Sequence, residues 1–249
     1  MKFLVISFRS KYTQSVKSTV SEIFRDFISL IYPRYCLGCQ DGLVKGEDIL
    51  CTKCIHDLPR TNYHLDHENP IYKRLFGRIP IQFALAFLLF KKGGKVQHLL
   101  HELKYNNHPE VGRIIGRVFG EELHKNGLNS HFDVVFPIPL HPTKHRRRGY
   151  NQSEEFAKGL VQGLGLHLVS DAVTRSTKTE TQTRKSKLKR WENVKEVFRV
   201  VNPKAIDRKR ILLVDDVITT GATLEACGQV LIDSGCSQLS VAGMAYAEE

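Results

Sequence analysis

From residue 83 onward, the chain alternates between continuous apolar runs and stretches whose apolar residues recur at helical spacing. Four apolar runs predict strands, at residues 83–90, 134–138, 211–214 and 239–245, because strands buried on both faces carry such runs. Four stretches with helical spacing predict helices: Val96, Leu99, Leu100 and Leu103; Ile114, Ile115, Val118, Phe119 and Leu123; Phe156, Leu160, Val161 and Leu164; and Leu224, Cys227 and Leu231. We therefore expect an α/β domain with a mostly parallel sheet flanked by helices.

Before residue 83 the pattern is weaker. Apolar positions along one helix face predict a helix over residues 16–31, which Pro33 ends. We favour a packing helix, although a helix lying on a membrane surface stays open. Residues 57–80 hold three prolines and little periodicity, so they predict a connection. We place the domain boundary near residue 60, which gives domains of residues 1–60 and 61–249.

Two adjacent carboxylates, Asp215 and Asp216, follow the third apolar run. A loop rich in hydroxyls comes next: Thr219, Thr220, Gly221, Ala222 and Thr223. Because a predicted helix follows, the N–H groups of this loop meet at a helix N-terminus, which favours an anion. Gly221 lets the backbone approach that anion, and the carboxylates can hold sugar hydroxyls, or Mg²⁺ through water. The stretch predicts a site for a ribose 5-phosphate, and an ordinary strand–turn–helix is the alternative.

A basic loop at residues 137–153 also leaves the carboxyl end of a predicted strand. Its cations lie close together: Lys144, Arg146, Arg147 and Arg148. Since guanidinium groups bind pyrophosphate oxygens in bidentate fashion, Arg146 and Arg148 are our candidates for holding a pyrophosphate. Asn151 or Ser153 can cap the helix that follows. A solvated basic loop or a nucleic-acid patch is the alternative interpretation.

A second hydrophilic and basic segment, residues 175–193, has a length that suits a mobile lid. Within it, Gln182, Arg190 and Asn193 are candidates for covering a bound substrate and excluding water. Trp191 suits either packing or stacking on a base. A plain linker is the alternative.

Four of the six cysteines form two closely spaced pairs with eleven residues between them: Cys36, Cys39, Cys51 and Cys54. Each pair can present two thiolates from a tight turn, in which we expect Gly38 and Gly42 to supply backbone freedom. Four thiolates complete a closed tetrahedral site, so we predict a structural zinc ribbon in a reducing compartment. Four unrelated cysteines or a redox pair are the alternatives. We expect the nearby His56 and His64 to be solvated.

The net charge of +11 is concentrated, since residues 178–210 carry twelve Lys/Arg and four Asp/Glu. We therefore expect an anionic partner, either a phosphorylated small molecule or a nucleic acid.

The longest apolar stretch is eight residues, too short for a transmembrane helix. The apolar run at the N-terminus is cut by Arg9 and lacks a small-residue cleavage site, so it does not predict a signal peptide. We expect a cytoplasmic protein.

The acid pair and its loop resemble the phosphoribosyl pyrophosphate (PRPP) motif of type I phosphoribosyltransferases. Together with the paired cysteines, Pro-Ile-Pro-Leu-His-Pro with Arg-Arg-Gly-Tyr-Asn-Gln, and Gln-x₇-Arg-x-x-Asn, they resemble the ComF family over residues 18–247. One departure is Thr181, where family members usually have proline before the lid. The resemblance implies a zinc ribbon joined to a phosphoribosyltransferase-like domain that uses Mg²⁺ with PRPP. It also implies a role in natural competence, with single-stranded DNA and a DNA-uptake helicase or recombination proteins as partners.

Two functions stay open. We favour a protein that binds PRPP or another ribose 5-phosphate and acts in DNA uptake and the handling of single-stranded DNA. The alternative is an active Mg²⁺-dependent phosphoribosyltransferase of nucleotide or amine metabolism, which releases pyrophosphate from PRPP. In either, Asp215 and Asp216 would hold the ribose hydroxyls and residues 219–223 the 5-phosphate. His141 and His145 are the nearest candidates for a base that activates a nucleophile, and we expect each to be an ordinary polar side chain. The sequence therefore leaves both binding and catalysis open for this site.

Overall fold

A computed structural model describes residues 32–175 and 197–248. The chain divides into two compact units, Met1–Cys54 and Ile55–Glu249. The predicted helix at residues 16–31 and the lid candidates Gln182, Arg190 and Asn193 lie outside the described residues, as does Trp191. The boundary near residue 60 stays a prediction. In the described parts of the chain, no helix is long and apolar enough to cross a membrane.

The larger unit is built on a five-stranded sheet in the order β1-β7-β6-β2-β3, and all four pairings are parallel. Its strands are β1 (Ala84–Phe90), β2 (Val134–Pro137), β3 (His167–Leu168), β6 (Arg210–Ile218) and β7 (Gln238–Ala247). A separate antiparallel pair is formed by β4 (Val173–Arg175) and β5 (Phe198–Val200). The predicted parallel sheet is confirmed, and it places the carboxyl ends of β2, β6 and β7 at one edge.

Seven α-helices are described: α1 (Thr52–His56), α2 (Pro70–Leu75), α3 (Lys95–Tyr105), α4 (Pro109–Lys125), α5 (Pro142–Arg148), α6 (Gln152–Leu164) and α7 (Ala222–Asp233). The helices α3, α4, α6 and α7 are the four that periodicity predicts. Short 3₁₀ turns occupy Tyr63–Leu65, Leu128–His131 and Pro203–Ala205. Because the larger unit alternates strands with helices, its parallel strands are joined by helical crossovers.

The strand β6 is longer than its apolar run. The run ends at Val214, yet the ladder with β7 continues through Asp215, which pairs with Gly243, as far as Ile218. The prediction that the acid pair follows the strand is therefore wrong, because both aspartates lie inside it. The strand can carry them because residues 215–217 are only partly buried, between the buried Val214 and Ile218.

Helices α4 and α6 pack with their backbones in contact. Gly116 and Gly120 of α4 face Gly159 and Gly163 of α6, and a Cβ atom at any of the four would collide with a carbonyl oxygen of the other helix. Beside this seam, the Phe119 ring stacks on Phe87 of β1 with 5.0 Å between centroids. The glycines thus let α6 approach α4 closely, and the N-terminus of α6 forms part of the candidate site.

The segment 57–80 is more than a connection. It contains α2, which begins at Pro70 with Asn69 as its cap, and Asn69 accepts hydrogen bonds from the N–H groups of Ile71 and Tyr72. Ile71 and Leu75 are fully buried and belong to the hydrophobic core. The prediction of a plain connection is wrong, since one buried turn of helix is too short to show periodicity.

Candidate functional site

The acid pair lies near the carboxyl end of β6 and is held by contacts from two other elements. The Asp215 Oδ1 atom accepts hydrogen bonds from the Ser153 hydroxyl at 2.9 Å and from the backbone N–H of Asp216 at 2.8 Å. The Asp216 Oδ2 atom lies 2.8 Å from the Lys104 ammonium, and both side chains are about one-fifth exposed. One carboxylate is therefore fixed by hydroxyl and backbone donors and the other by a cation.

The two carboxylates differ in their electrostatic setting. Burial, and then the neighbouring charge of Asp216, raise the pKa of Asp215 to about 7, although the Asp216 N–H, Ser153 and Lys104 all act in the opposite direction. Asp215 is thus divided between its neutral and charged forms near neutral pH. A cation or a pair of hydroxyl donors arriving at the site would favour its charged form.

Asn151 positions Ser153. It is the cap of α6, and its side chain accepts a hydrogen bond from the Ser153 N–H at 3.2 Å while donating to the Ile138 carbonyl at 2.9 Å. The predicted cap is confirmed. Because Ile138 directly follows β2, this one amide ties the end of a strand to the start of a helix. The Ser153 hydroxyl is held against Asp215 as a result, a role that the sequence pattern did not suggest.

The candidate phosphate loop, residues 219–223, runs from β6 into α7. Gly221 has φ 74°, in the left-handed region, and caps α7. A Cβ atom there would lie 2.8 Å from Leu75 Cδ2, so only glycine fits both the backbone angle and the space. Thr219, Thr220 and Ala222 are exposed and Thr223 is half-buried. The loop therefore presents hydroxyls and N–H groups to solvent at the N-terminus of a twelve-residue helix.

Two arginines that the sequence analysis missed hold the carbonyl side of this loop. The guanidinium of Arg74, from α2, donates to the Thr219 carbonyl, and Arg78 donates to the Thr220 carbonyl at 2.9 Å. Arg78 also forms an ion pair with Glu225 in the first turn of α7. These two contacts hold the carbonyl side of the loop, while the Ala222 N–H donates to the Thr220 hydroxyl at 3.4 Å. No short-range signal links these arginines to a loop so distant in sequence.

The basic segment expected to be a loop contains the helix α5. Pro142 stands in its first turn, His141 Nδ1 accepts a hydrogen bond from the Thr143 N–H at 3.2 Å, and Gly149 at φ 79° ends the helix. The loop prediction is wrong over these residues, although proline at the start and glycine at the end are helix signals. The exposed Lys144, Arg146 and Arg147 lie on this helix.

Arg148 is held more firmly than its neighbours. Its guanidinium lies 5.4 Å from the centroid of the Tyr105 ring and donates to Gln152 Oε1 at 2.7 Å. Its Nε atom is buried and has no hydrogen-bond partner. The Tyr150 hydroxyl donates to the Leu103 carbonyl, which fastens this segment to the last turn of α3. The last turn of α3 thus contacts both Arg148, through Tyr105, and the acid pair, through Lys104. Arg146 has no such contact with α3 among the interactions described and is exposed on α5.

The four paired cysteines converge in the smaller unit. Their sulfur atoms all lie within 4.8 Å of one another, and Cys39 Sγ is 3.7 Å from Cys51 Sγ. Sulfur atoms bound tetrahedrally to one zinc ion lie roughly 3.8 Å apart, given Zn–S bonds of about 2.3 Å. All four thiols are free of disulfide bonds. The cluster therefore fits one tetrahedral ion.

Backbone donors favour the thiolate form of Cys36 in this cluster. Cys36 Sγ accepts N–H groups from Gly38 at 3.3 Å and Cys51 at 3.2 Å. Burial raises the pKa of Cys36, but these donors outweigh it and lower that pKa to about 7. Gly38 is required for space, because a Cβ atom would lie 2.8 Å from Cys54 Sγ. Its φ is not positive, so the expected role in backbone freedom is wrong there, and Gln40 takes the left-handed position instead.

The two histidines near the cysteines have different surroundings. His56 is 88% exposed, as expected. The side chain of His64 is only 4% exposed, and its Nδ1 lies 3.5 Å from Glu122 Oε1. The prediction that His64 is solvated is therefore wrong, and burial lowers its pKa.

Comparisons with known proteins agree with this architecture. Residues 102–247, more than half of the chain, match the family described as phosphoribosyl transferase domain. The DNA utilization protein YhgH of Shigella flexneri is 31% identical over 210 residues, which cover 83% of this chain and 87% of that protein. Competence protein F of Haemophilus influenzae is 27% identical over 224 residues, covering 85% of this chain and 96% of that protein.

A solved structure, the glutamine PRPP amidotransferase from B. subtilis, aligns with a TM-score of 0.42 and 20% identity over 58% of this chain and 30% of that chain. The family match rests instead on the domain and on the relatives at about 30% identity. The domain has the type I phosphoribosyltransferase fold that the sequence predicts. The chain belongs to the ComF family of phosphoribosyl transferase domain proteins.

Proposed function

We propose that the protein binds PRPP or another ribose 5-phosphate at the edge of the sheet where β6 ends. The observation that carries this proposal is the placement of the acid pair and the phosphate loop on one continuous stretch, with Ser153 fixing Asp215 and two arginines fixing the loop. The ribose hydroxyls would donate to Asp215 and Asp216. The 5-phosphate would bind the N–H groups and hydroxyls of residues 219–223, where the dipole of α7 favours an anion.

Mg²⁺ fits the site as a partner of the pyrophosphate. Carboxylate oxygens are the ligands it prefers, usually together with substrate phosphates and retained waters. Lys104 supplies a positive charge beside Asp216, and Arg148 contributes a second cation with an unpartnered N–H. These groups would balance the negative charge of a bound pyrophosphate, together with the exposed Arg146.

We assign zinc to the cysteine cluster as a structural ion. The sulfur geometry and the N–H donors to Cys36 support a closed site with four thiolates. Such a site offers no open position for a substrate, so the ion would stabilise the fold of this small unit and take no part in a reaction.

The names of the relatives support a proposal for the biological role of the protein. They are described as DNA utilization and competence proteins, and the net charge of +11 suits a nucleic acid. We therefore place this protein in the cytoplasmic handling of single-stranded DNA during uptake, where a helicase or recombination proteins would be its partners. Gln182, Arg190 and Asn193 remain the candidates for closing over the ribose-phosphate site.

The test is a calorimetric titration of PRPP with Mg²⁺ into the full-length protein. The double variant Asp215→Asn/Asp216→Asn removes both negative charges while keeping side-chain size. We expect it to bind PRPP at least about tenfold more weakly, because hydrogen bonds to charged groups contribute about 1.5–3 kcal/mol. The control is Glu121→Gln, which makes the same change at an exposed position of α4. Equal affinity of the double variant and the control would contradict the proposal.

Active phosphoribosyl transfer is the second candidate, and the cations beside the acid pair favour it. Electrostatic stabilisation of a leaving pyrophosphate by Lys104 and Arg148 would be the main contribution to catalysis. Its test is pyrophosphate release from PRPP and Mg²⁺ in the presence of amine and nucleobase acceptors. Release that disappears in the double variant supports an enzyme. PRPP binding without release from any acceptor supports a binding protein.

A further inference from the structure

Five aromatic rings form a continuous row on the surface of the larger unit. The row is Phe76, Tyr72, His67, Phe83 and His131, and its members come from four separate parts of the chain. Successive ring centroids are 6.0, 5.0, 5.7 and 5.0 Å apart. Phe83 also contacts the buried Phe132 at 6.0 Å, which anchors the row to the core.

Packing accounts for only part of this row, because Tyr72 contacts the hydrophobic core and the rings meet mostly edge to face. Phe76 is 71% exposed, His67 and His131 are exposed, and Tyr72 and Phe83 are half-buried. Large aromatic side chains usually bury most of their surface because that is their main contribution to stability. Exposed rings such as Phe76, His67 and His131 are instead typical of a surface that stacks on planar groups of a ligand.

Concave surfaces flank the row. A cavity of about 310 Å³ is lined by Tyr72, Phe76 and Arg78, among others. A second cavity, of about 130 Å³, is lined by His67 and Phe83, among others. A flexible, flat-sided ligand could therefore lie along the rings with groups directed into either hollow.

Basic side chains accompany the row at both ends. Lys73, Arg74 and Arg78 belong to or follow α2, beside Tyr72 and Phe76. At the other end, Arg210 donates to the Ser130 carbonyl at 2.7 Å, next to His131. Arg78 and Arg210 are anchored by Glu225 and Asp133. The acidic Asp66 and Glu68 lie near the middle, beside His67.

We propose that this row is a binding surface for single-stranded DNA, with bases stacking on the rings and phosphates lying near the flanking cations. This inference rests on the proposed function and adds to it a surface built from residues other than the paired cysteines and residues 175–193. Single strands expose base faces that a duplex keeps stacked, and every base has such a face, so binding would be largely independent of sequence. The row begins on α2, whose Arg74 contacts the phosphate loop, so the strand would pass beside the ribose-phosphate site.

The test measures the anisotropy of a short labelled oligothymidine titrated with full-length protein at several salt concentrations. Phe76→Leu keeps an apolar side chain at an exposed position but removes the ring. We expect it to weaken binding by about tenfold, since one base would lose the ring on which it stacks. Phe76→Tyr keeps the ring and should bind like the wild type. Val201→Ala, at an exposed apolar position outside the row, is a second control.

The salt dependence separates stacking from charge. Phe76→Leu should leave the slope of log affinity against log salt unchanged, whereas Lys73→Gln should reduce it by about one. Photocrosslinking of a bromouracil-substituted strand should mark Phe76 or Tyr72 by mass spectrometry. The PRPP titration of Phe76→Leu should match the wild type, which shows that the fold and the ribose-phosphate site are intact.

Each alternative result is distinct. If the wild type binds the oligothymidine and Phe76→Leu binds it equally well, this surface is not the DNA site although the proposed function stands. If the wild type binds no single-stranded DNA, both this inference and the DNA part of the proposed function fail. If a duplex competes as well as the single strand does, stacking on the rings is excluded.

Discussion

At the scale of single residues, the site is set by side chains that hold other side chains. Asp215 depends on Ser153, and Ser153 depends on Asn151, which joins the end of β2 to the start of α6. The sequence motif identifies Asp215 but not its partners. The Asp215 carboxyl is buried beside the Asp216 carboxylate. Charging Asp215 in the absence of a ligand therefore lowers the stability of the folded protein.

This cost predicts the behaviour of Asp215→Asn. The folded protein raises the pKa of Asp215 from 3.8 to about 7, so between these values the native state binds a proton that the unfolded chain has lost. The free energy of unfolding should therefore fall as pH rises through that interval. An asparagine stays neutral and can still accept both hydrogen bonds at Oδ1, so at pH 8 the variant should be more stable by about 1–3 kcal/mol.

Urea unfolding of the ligand-free protein at pH 5 and pH 8 measures this effect. The free energy of unfolding of the variant should exceed that of the wild type by more at pH 8 than at pH 5. The same variant should bind PRPP more weakly, so that a gain in stability accompanies a loss of function. A variant that is less stable than the wild type at pH 8 would show that the charged carboxylate is not a cost in the empty site.

At the scale of elements, hydrophobic periodicity predicts the long, buried helices and strands and misses the short helices. The four strands and four helices that apolar patterns predict from residue 83 onward are all present. The short helices α2 and α5 are missed because a helix of two turns or fewer carries too few apolar positions. In α5, the cluster of arginines also favours interpretation as a pyrophosphate-binding loop. The contacts of Lys104, Arg74 and Arg78 cannot be predicted from spacing, because they depend on how α2 and α3 pack against β6 and the loop that follows it.

The close packing of α4 on α6 predicts a strong effect of Gly116→Ala. Alanine is intrinsically better than glycine in a helix by about 1 kcal/mol, yet a Cβ atom at this position would collide with the Phe156 carbonyl. The helices would have to separate, at a cost of about 1–3 kcal/mol or more. Since α6 carries Ser153, we expect weaker PRPP binding as well as lower stability.

Gly112→Ala in the same helix is the matched comparison, because its Cβ atom would come no closer than 3.1 Å to any neighbour. The Tm of Gly116→Ala should be well below that of Gly112→Ala. The Tm of the wild type should be equal to that of Gly112→Ala or higher. If the two variants unfold at the same temperature, the contact between the helices tolerates an added methyl group and this prediction is wrong.

At the scale of the whole molecule, two units with different sources of stability share one chain. The larger unit, Ile55–Glu249, contains a sheet and a hydrophobic core with residues from β1, β2, β6, β7 and the helices α2 and α7. Among the described residues of the smaller unit, Cys36, Leu50, Cys51 and Cys54 are buried, so most of the interior consists of zinc-ligand candidates. Because the apolar core among these described residues is so small, we expect a bound metal to supply much of the folding free energy of this unit.

Removal of zinc should therefore unfold one unit and spare the other. We expect a chelator, or the variant Cys39→Ser, to abolish hydrogen-exchange protection across residues 34–54 while the strands of the larger unit stay protected. PRPP affinity should change by less than about twofold, because the contacts that carry the ribose-phosphate site all come from residues 74–225. Cys236→Ser, which alters a cysteine outside the cluster, is the control and should retain both protection and zinc. Loss of PRPP binding on chelation would instead show that the metal-bound unit contributes to that site.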